Sequence, residues 1–170
     1  AMETVIAFLN DPTVEPDRAC LNRLGQVDFL VPYTGNPSLP LETKRVSGIS
    51  VDAPQDWYYL DGFFLRGSSP LDITQIGILQ ANVSAAELKD WFSLGAYGYR
   101  GLDTAPINVG QRNGNGFKWT LYTSTSNGRP VDIAMADREG SSLVIMLFCH
   151  SDEHDALYQT VFLPMVDSAR

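Results

Sequence analysis

The sequence has few basic residues and no long hydrophobic run. Its 170 residues include 12 lysines and arginines against 20 aspartates and glutamates, which gives a formal net charge of -8. The basic residues form no cluster, so a nucleic-acid backbone or an anionic membrane surface would be repelled. The longest apolar run, Leu143 to Cys149, is far shorter than the roughly 20 residues of a membrane-spanning helix. We therefore expect neither nucleic-acid binding nor membrane insertion.

Cysteines and catalytic motifs are also scarce. The two cysteines, Cys20 and Cys149, permit one disulfide but no disulfide framework. The sequence contains no G-x-S-x-G elbow, no P-loop, no G-x-G-x-x-G pattern and no H-E-x-x-H motif. Acyl transfer needs a nucleophile, an oriented base and an oxyanion hole together. We therefore expect this chain alone to be inactive and to use no cofactor.

The composition is that of a folded domain with an irregular start. Hydrophobic residues make up 44% and charged residues 19% of the chain, as in globular proteins. Apolar residues at helical spacing in "ETVIAFLN" predict a short N-terminal helix that stops before Pro12. The prolines from Pro16 to Pro40 predict an extended linker. We expect residues 1–40 to be this helix and linker, and residues 41–170 to be the compact domain.

The remaining pattern is mostly that of strands. We predict strands in "RVSGISVDAP", "FFLRG", "DITQIGILQANV", "INVGQRNG", "GFKWTLYTST", "PVDIAMAD" and "SSLVIMLFC". The last is apolar on both faces and is predicted to be central. The spacing of Ser84 and Glu87 predicts a capped helix in "SAAELKDWFSLG". Strands in succession, with a further helix at the C-terminus, predict an α+β domain with an antiparallel sheet flanked by helices.

The stretch "CHSDEHDALY" collects a thiol, two imidazoles and three carboxylates. One interpretation is a helix start: Ser151 is a good N-cap, and carboxylates in the first turn are favoured by the unpaired amide protons there. Pro164 is then expected to kink or end the helix near Thr160. We favour the capped helix because no second ligand cluster occurs elsewhere in the sequence.

Two rival interpretations of the same stretch stay open. Cys149, His150 and His154 are candidate metal ligands, although we predict no metal site. A small enzyme using His150 or His154 is the other rival, and an imidazole within hydrogen-bond distance of Ser, Cys or Asp would favour it. Since Cys149 ends an apolar strand, we expect a buried and inert thiol.

Aromatic residues supply the candidate binding site. They concentrate in "DWYYLDGFFLRG" and again after "DWFSLGA". About half should face the core, and tyrosine and arginine are the common interface anchors among the rest. An apolar pocket lined by Trp57 to Phe64 would favour a ligand-binding module. The candidate binding residues are Trp57, Tyr58, Tyr59, Phe63, Phe64, Arg66, Tyr97 and Tyr99.

The first 21 residues carry a resemblance to an enzyme family. "VIAFLNDPTVEPDRACL" resembles the C-terminal tail of secreted tripeptidyl-aminopeptidase-like α/β-hydrolases. The resemblance implies that the catalytic residues lie upstream of this chain, that the location is extracytoplasmic, and that Cys20 forms a disulfide with an upstream cysteine. The matching residues are Phe8, Leu9, Asp11, Pro12, Thr13, Asp17, Cys20 and Leu21.

Residues from about 47 to 166 carry a second resemblance. "ISVDAPQDWYYL" and "GSSLVIMLFCHSDEHDALYQTVFLPMV" resemble the PsbP-like fold that is shared with Mog-type proteins. That fold implies an antiparallel sheet between helices and an accessory or partner-binding role. The two resemblances together predict a non-catalytic C-terminal accessory domain of an exported serine hydrolase, which shapes substrate access or binds a protein or peptide. The alternative is a free-standing ligand- or protein-binding module.

Overall fold

The computed structural model describes residues 39–67, 72–94 and 102–170. The predicted N-terminal helix and linker, Cys20, Tyr97 and Tyr99 lie outside these residues. Among the described helices none is long and apolar enough to cross a membrane.

The largest element is a seven-stranded sheet whose neighbouring strands are all antiparallel. The strand order is β3-β4-β5-β9-β8-β7-β6. Four of the predicted strands coincide closely with β6 to β9, so the strand patterning of this half is confirmed. The strands are β3 (Tyr58–Leu60), β4 (Phe63–Leu65), β5 (Gln75–Ala81), β6 (Ile107–Gly114), β7 (Phe117–Ser126), β8 (Arg129–Arg138) and β9 (Ser141–Phe148).

A separate hairpin of β1 (Leu41–Val46) and β2 (Ile49–Pro54) precedes the sheet. The prediction of one continuous strand in "RVSGISVDAP" is therefore wrong. Ser47 and Gly48 turn the chain with φ values of 50° and 82°, the left-handed conformations that a two-residue hairpin turn requires.

The sheet is buried on both faces because residues alternate along β8 and β9. Ala134 and Ile145 lie in a core under the C-terminal helical segment and the β1–β2 hairpin. Ile133 and Met146 lie in a second core, on the opposite face. The central position of β9, between β5 and β8, is confirmed. The described residues are mostly β, and a hairpin rather than a helix covers part of one face.

Helix α1 (Ala85–Leu94) packs against β8 and β9 on the second face. Its predicted cap is confirmed: the Ser84 hydroxyl oxygen accepts a hydrogen bond of 3.2 Å from the Glu87 backbone N–H. Asp137 on β8 accepts a second bond, of 2.8 Å, from the Ala85 N–H. These two acceptors satisfy amide protons that an uncapped helix start would leave unpaired.

The C-terminal helical segment consists of α2 (His154–Leu157), a π-helical turn (Tyr158–Phe162, the π turn) and α3 (Leu163–Ser168). The prediction that Ser151 caps this segment is wrong, because the cap position is Glu153 and no side chain caps it. Pro164 stands at the start of α3, directly after the π turn. The helical segment therefore changes its hydrogen-bond pattern before this proline and continues, instead of ending near Thr160.

The buried ring of Phe162 supplies a test of this packing. Phe162 in the π turn is fully buried, whereas Gln159 in the same turn is exposed. We expect Phe162→Ala to lower the free energy of unfolding by about 3 to 5 kcal/mol, because it removes buried apolar area and leaves a cavity. Gln159→Ala should change it by less than about 0.5 kcal/mol. Urea denaturation followed by circular dichroism measures both, and equal losses would contradict this packing.

Candidate functional site

Three consecutive side chains of β3 project into solvent. Tyr58, Tyr59 and Leu60 are 53%, 51% and 52% exposed. They lie on an outer strand, which pairs with β4 on one side and, within the described residues, with no strand on the other. We call these three residues the β3 surface. An exposed apolar strand at a sheet edge is a feature that folded proteins usually avoid unless it is used.

A buried aromatic ring supports Tyr59 within the β3 surface. Phe64 lies directly across from Tyr59 in the β-ladder, is 1% exposed and contacts the Tyr59 ring at a centroid distance of 5.3 Å. Lys44 lies over the Phe64 ring at 5.3 Å and its Nζ donates a 3.2 Å hydrogen bond to the Trp57 carbonyl. Trp57 is buried as well. Of the predicted binding residues, Trp57 and Phe64 therefore belong to the core, while Tyr58 and Tyr59 reach the surface.

The remaining predicted binding residues in the described part point elsewhere. Phe63 is half-buried and its ring lies 6.2 Å from that of Phe148. Arg66 donates from Nε and Nη2 to the two carboxylate oxygens of Asp72, at 2.8 and 2.9 Å. Its Nη1 donates to Glu153 at 2.6 Å. Arg66 is thus part of an internal ion-pair network and does not join the β3 surface.

Glu153 is the centre of that network. It is 3% exposed and accepts hydrogen bonds from Arg66, from the Thr74 hydroxyl and from the His150 backbone N–H. Burial lowers the pKa of Arg66, but hydrogen bonds to Asp72 and Glu153 more than offset this, so that its pKa lies above the ordinary value. The sequence predicted Glu153 to be a carboxylate in the first turn of a capped helix. In the structure it instead links Arg66, the residue after β4, to the C-terminal helical segment.

The predicted burial of Cys149 is confirmed. Cys149 is buried at the end of β9, and burial together with the nearby charge of Glu153 raises its pKa to about 12. A thiol with such a pKa is protonated near neutral pH and is a poor nucleophile. In the described ranges, no three His, Cys, Asp or Glu side chains are grouped so that they could hold a metal ion.

His154 forms a contact that the sequence patterns did not indicate. Its Nε2 lies 2.8 Å from Oδ2 of Asp132 on β8, and its Nδ1 lies 3.1 Å from Oδ1 of Asp155. Asp132 is only 3% exposed, whereas the Asp155 side chain is fully exposed. A buried aspartate within the apolar stretch "VDIAMA" of β8 is the signal that could have identified this pair, because buried carboxylates need partners.

The Asp132–His154 pair lies in an open cleft of about 390 Å³, within the range of small-ligand sites. Burial raises the pKa of Asp132, and the charge and hydrogen bond of His154 partly oppose that shift. Burial and the Asp132 charge also raise the pKa of Tyr158. The residues that line this Asp132–His154 cleft are Val109, Thr123, Asp132, His154, Asp155, Tyr158 and Gln159.

An imidazole oriented by a carboxylate is one part of a general-base system. The condition set for the small-enzyme interpretation, an imidazole within hydrogen-bond distance of Ser, Cys or Asp, is met by His154 and Asp132. The pair is not a complete catalytic arrangement, since in the described chain no hydroxyl or thiol hydrogen-bonds to either ring nitrogen of His154.

A second cavity, of about 290 Å³, lies beside the start of β8 and the end of β9. The residues from Trp57 to Phe64 line neither this cavity nor the Asp132–His154 cleft. These two cavities are therefore not the apolar pocket, lined by Trp57 to Phe64, that would favour a ligand-binding module. The lining residues of the second cavity are Ile73, Gln75, Ser126, Asn127, Arg129, Pro130, Phe148 and Cys149.

The Glu153 network leads to a stability prediction. We expect Glu153→Gln to lower the free energy of unfolding by about 2 to 4 kcal/mol, because it leaves part of a buried ion-pair network unpaired. The loss can lie at the lower end of this range because the Arg66 side chain is 19% exposed and still pairs with Asp72 in the variant. Asp152→Asn, at the exposed neighbouring carboxylate, is the matched control and should have little effect. Urea denaturation at pH 7 measures both, and an equal loss in the two variants would show that Glu153 has no special role.

Comparison with known proteins identifies the fold. No family model matches the chain, and no curated protein matches it. A solution structure of cyanobacterial PsbP (CyanoP) from Synechocystis sp. PCC 6803 is similar with a TM-score of 0.52 and 14% sequence identity. The match covers 78% of this chain and 92% of that one. The chain thus has a PsbP-like fold, as its second resemblance implied. The hydrolase resemblance of residues 2–21 has no counterpart in these comparisons.

Proposed function

We propose that this chain is a non-catalytic binding module of PsbP-like fold that docks a protein or peptide partner on the β3 surface. The observation that carries the proposal is the exposure of Tyr58, Tyr59 and Leu60, each more than half accessible on an outer strand. Tyrosine is enriched in interfaces, because it combines a large apolar ring with a polar hydroxyl at a small cost in side-chain entropy.

The geometry favours recognition by side chains with some help from the backbone. An extended partner segment can pair with the outer edge of a sheet, but β3 is only three residues long, so such a ladder would be short. The aromatic surface would then supply most of the affinity. Because Tyr59 contacts the buried Phe64 ring, its position is largely fixed before binding, which reduces the ordering cost.

A finer proposal concerns the larger protein. The tail-like sequence of residues 2–21 supports placing this module after an exported α/β-hydrolase domain, peptidase- or esterase-like, against which it packs and whose cleft it helps to shape. In that arrangement the hydrolase is the first partner of the module, and Cys20 bonds a cysteine of the hydrolase. This proposal rests on the eight matching residues named above.

Selection from a displayed library of unstructured peptides tests the β3 surface. We expect peptides enriched on the unaltered protein to lose about tenfold or more of their affinity for Tyr59→Ser, since truncating a central aromatic anchor has effects of this size. Ile107→Ser is the matched control, because Ile107 is 61% exposed on the opposite edge of the sheet. Surface plasmon resonance measures the affinities.

Two results would contradict the proposal. One is a set of enriched peptides that bind Tyr59→Ser and Ile107→Ser equally well. The other is a library that enriches nothing on the unaltered protein but does enrich binders on a known peptide-binding domain run in parallel.

The hydrolase proposal has its own test. The gene region that precedes the codon for Ala1 is expected to encode a G-x-S-x-G serine and, shortly before Ala1, a cysteine. Titration calorimetry of that upstream domain against this chain should then detect association. A start codon at Met2, or no heat of association together with unchanged hydrolase activity, would count against it.

A further inference from the structure

The lining of the Asp132–His154 cleft is acidic. Among the described residues, its walls contain the carboxylates of Asp132 and Asp155 and no lysine or arginine. His154 contributes at most one positive charge against these two negative charges. Each of its ring nitrogens lies within hydrogen-bond distance of one carboxylate, so the imidazole already bridges both groups. The cleft therefore attracts a further cation.

The charge of Arg112 does not neutralise the cleft. Arg112 on β6 influences Tyr158 electrostatically, but its Nε and Nη2 both donate to the carboxylate of Asp167 on α3. A two-point guanidinium–carboxylate pair is strong and geometrically specific. Its charge is thus largely offset by Asp167, outside the lining of the cleft.

The rest of the lining suits an organic ligand. The Tyr158 ring stacks on the buried Phe162 ring, with centroids 5.3 Å apart, and lies 6.0 Å from the imidazole of His154. A tyrosine ring held in this way can bind a cation on its face. Val109, which also lines the cleft, is 55% exposed and can cover an apolar stem. Thr123 and Gln159 add neutral polar side chains.

A metal ion is a poorer fit than an organic cation. A protein metal site usually needs three or more donor side chains converging on one point. The His, Cys, Asp and Glu residues within the described ranges form no such group. In this cleft the donors instead bond to one another through His154, beside an aromatic and an apolar wall.

We propose that the Asp132–His154 cleft is a binding site for an organic cation, a protonated amine or a guanidinium carried on an apolar stem. Asp155 at the rim and Asp132 in the wall attract the charge, the Tyr158 ring supports it, and Val109 contacts the stem. The burial that raises the pKa of Asp132 is consistent with this role, since a bound cation would stabilise its ionised form. The site is independent of the β3 surface, which lies at the other edge of the sheet.

Nuclear magnetic resonance titration with pentylammonium chloride tests the site. We expect saturable amide shift changes at Val109, Thr123 and Tyr158, and far smaller changes with 1-pentanol, which has the same stem without the charge. Asp155→Asn should weaken binding about two- to fivefold, as expected for an exposed charge pair. Asp132→Asn should weaken it about tenfold, because a buried charged partner is worth more. Asp56→Asn, an equal charge change at an exposed residue on the β2–β3 loop, is the matched control and should have no effect.

A second titration distinguishes a free amine from a basic side chain. A capped extended peptide with one central lysine is compared with the same peptide carrying norleucine. Stronger binding of the lysine peptide than of pentylammonium identifies a protein side chain as the source of the cation, and the reverse identifies a small amine. Either result supports the proposal.

Three outcomes would overturn this proposal. These are shifts of equal size with pentanol and pentylammonium, no saturable shift at the lining residues, and equal affinities of Asp155→Asn and Asp56→Asn. Because Asp155 is fully exposed, the comparison with Asp56→Asn stays valid even if Asp132→Asn impairs folding. A failure of the peptide selection on the β3 surface would leave all of these results unaffected, so the two proposals fail separately.

Discussion

The buried carboxylate of Glu153 constrains much of this structure. A charge that is 3% exposed is tolerated only when other groups pair with it, and here Arg66, Thr74 and the His150 N–H do so. These partners directly follow β4, directly precede β5 and lie two residues beyond β9. The first residue after Glu153 is His154, so the network also fixes where the imidazole meets Asp132.

The two proposed binding sites occupy opposite ends of one sheet. The β3 surface belongs to the outer strand at one end, and the Asp132–His154 cleft lies beside β6, β7 and β8 at the other. Between them, β9 and β5 are covered on both faces by the two cores. A well-packed interior has little freedom to adjust, which leaves the edges as the places where a partner or ligand can be accommodated.

Regular patterning made the second half of the fold predictable. Strands β6 to β8 follow from their strand patterning and from the Asn127–Gly128 turn, and β9 follows from its continuous apolar run. The α1 cap follows from Ser84. The sequence does not indicate the β1–β2 hairpin because serine seldom adopts the left-handed conformation that Ser47 has in its turn. Likewise, Tyr58 and Tyr59 stand in an aromatic run without alternating polar residues, so the sequence alone could not say which rings are exposed.

The Asp132–His154 cleft was harder to predict because its parts are distant in the sequence. Asp132 and His154 are separated by 22 residues and lie on a strand and a helix whose packing local rules do not determine. Local propensity favours Ser151 as the helix cap. In the structure Glu153 occupies the cap position, and its side chain pairs with the distant Arg66. Tertiary contacts commonly override local preference in this way.

The π turn allows one short helical segment to meet two separate geometric demands. Before it and at its first residue, His154 and Tyr158 line the cleft. Beyond it, the Ser168 hydroxyl accepts a bond from the Asp52 N–H, and Arg170 exchanges two backbone hydrogen bonds with Ser50. A uniform α-helix advances about 100° per residue. The extra residue in the π turn therefore changes the direction, around the helix axis, in which all later side chains point. If the segment were one residue shorter, the residues before the turn and those beyond it could not both keep these positions. Either the wall of the cleft or the hydrogen bonds to β2 would be lost.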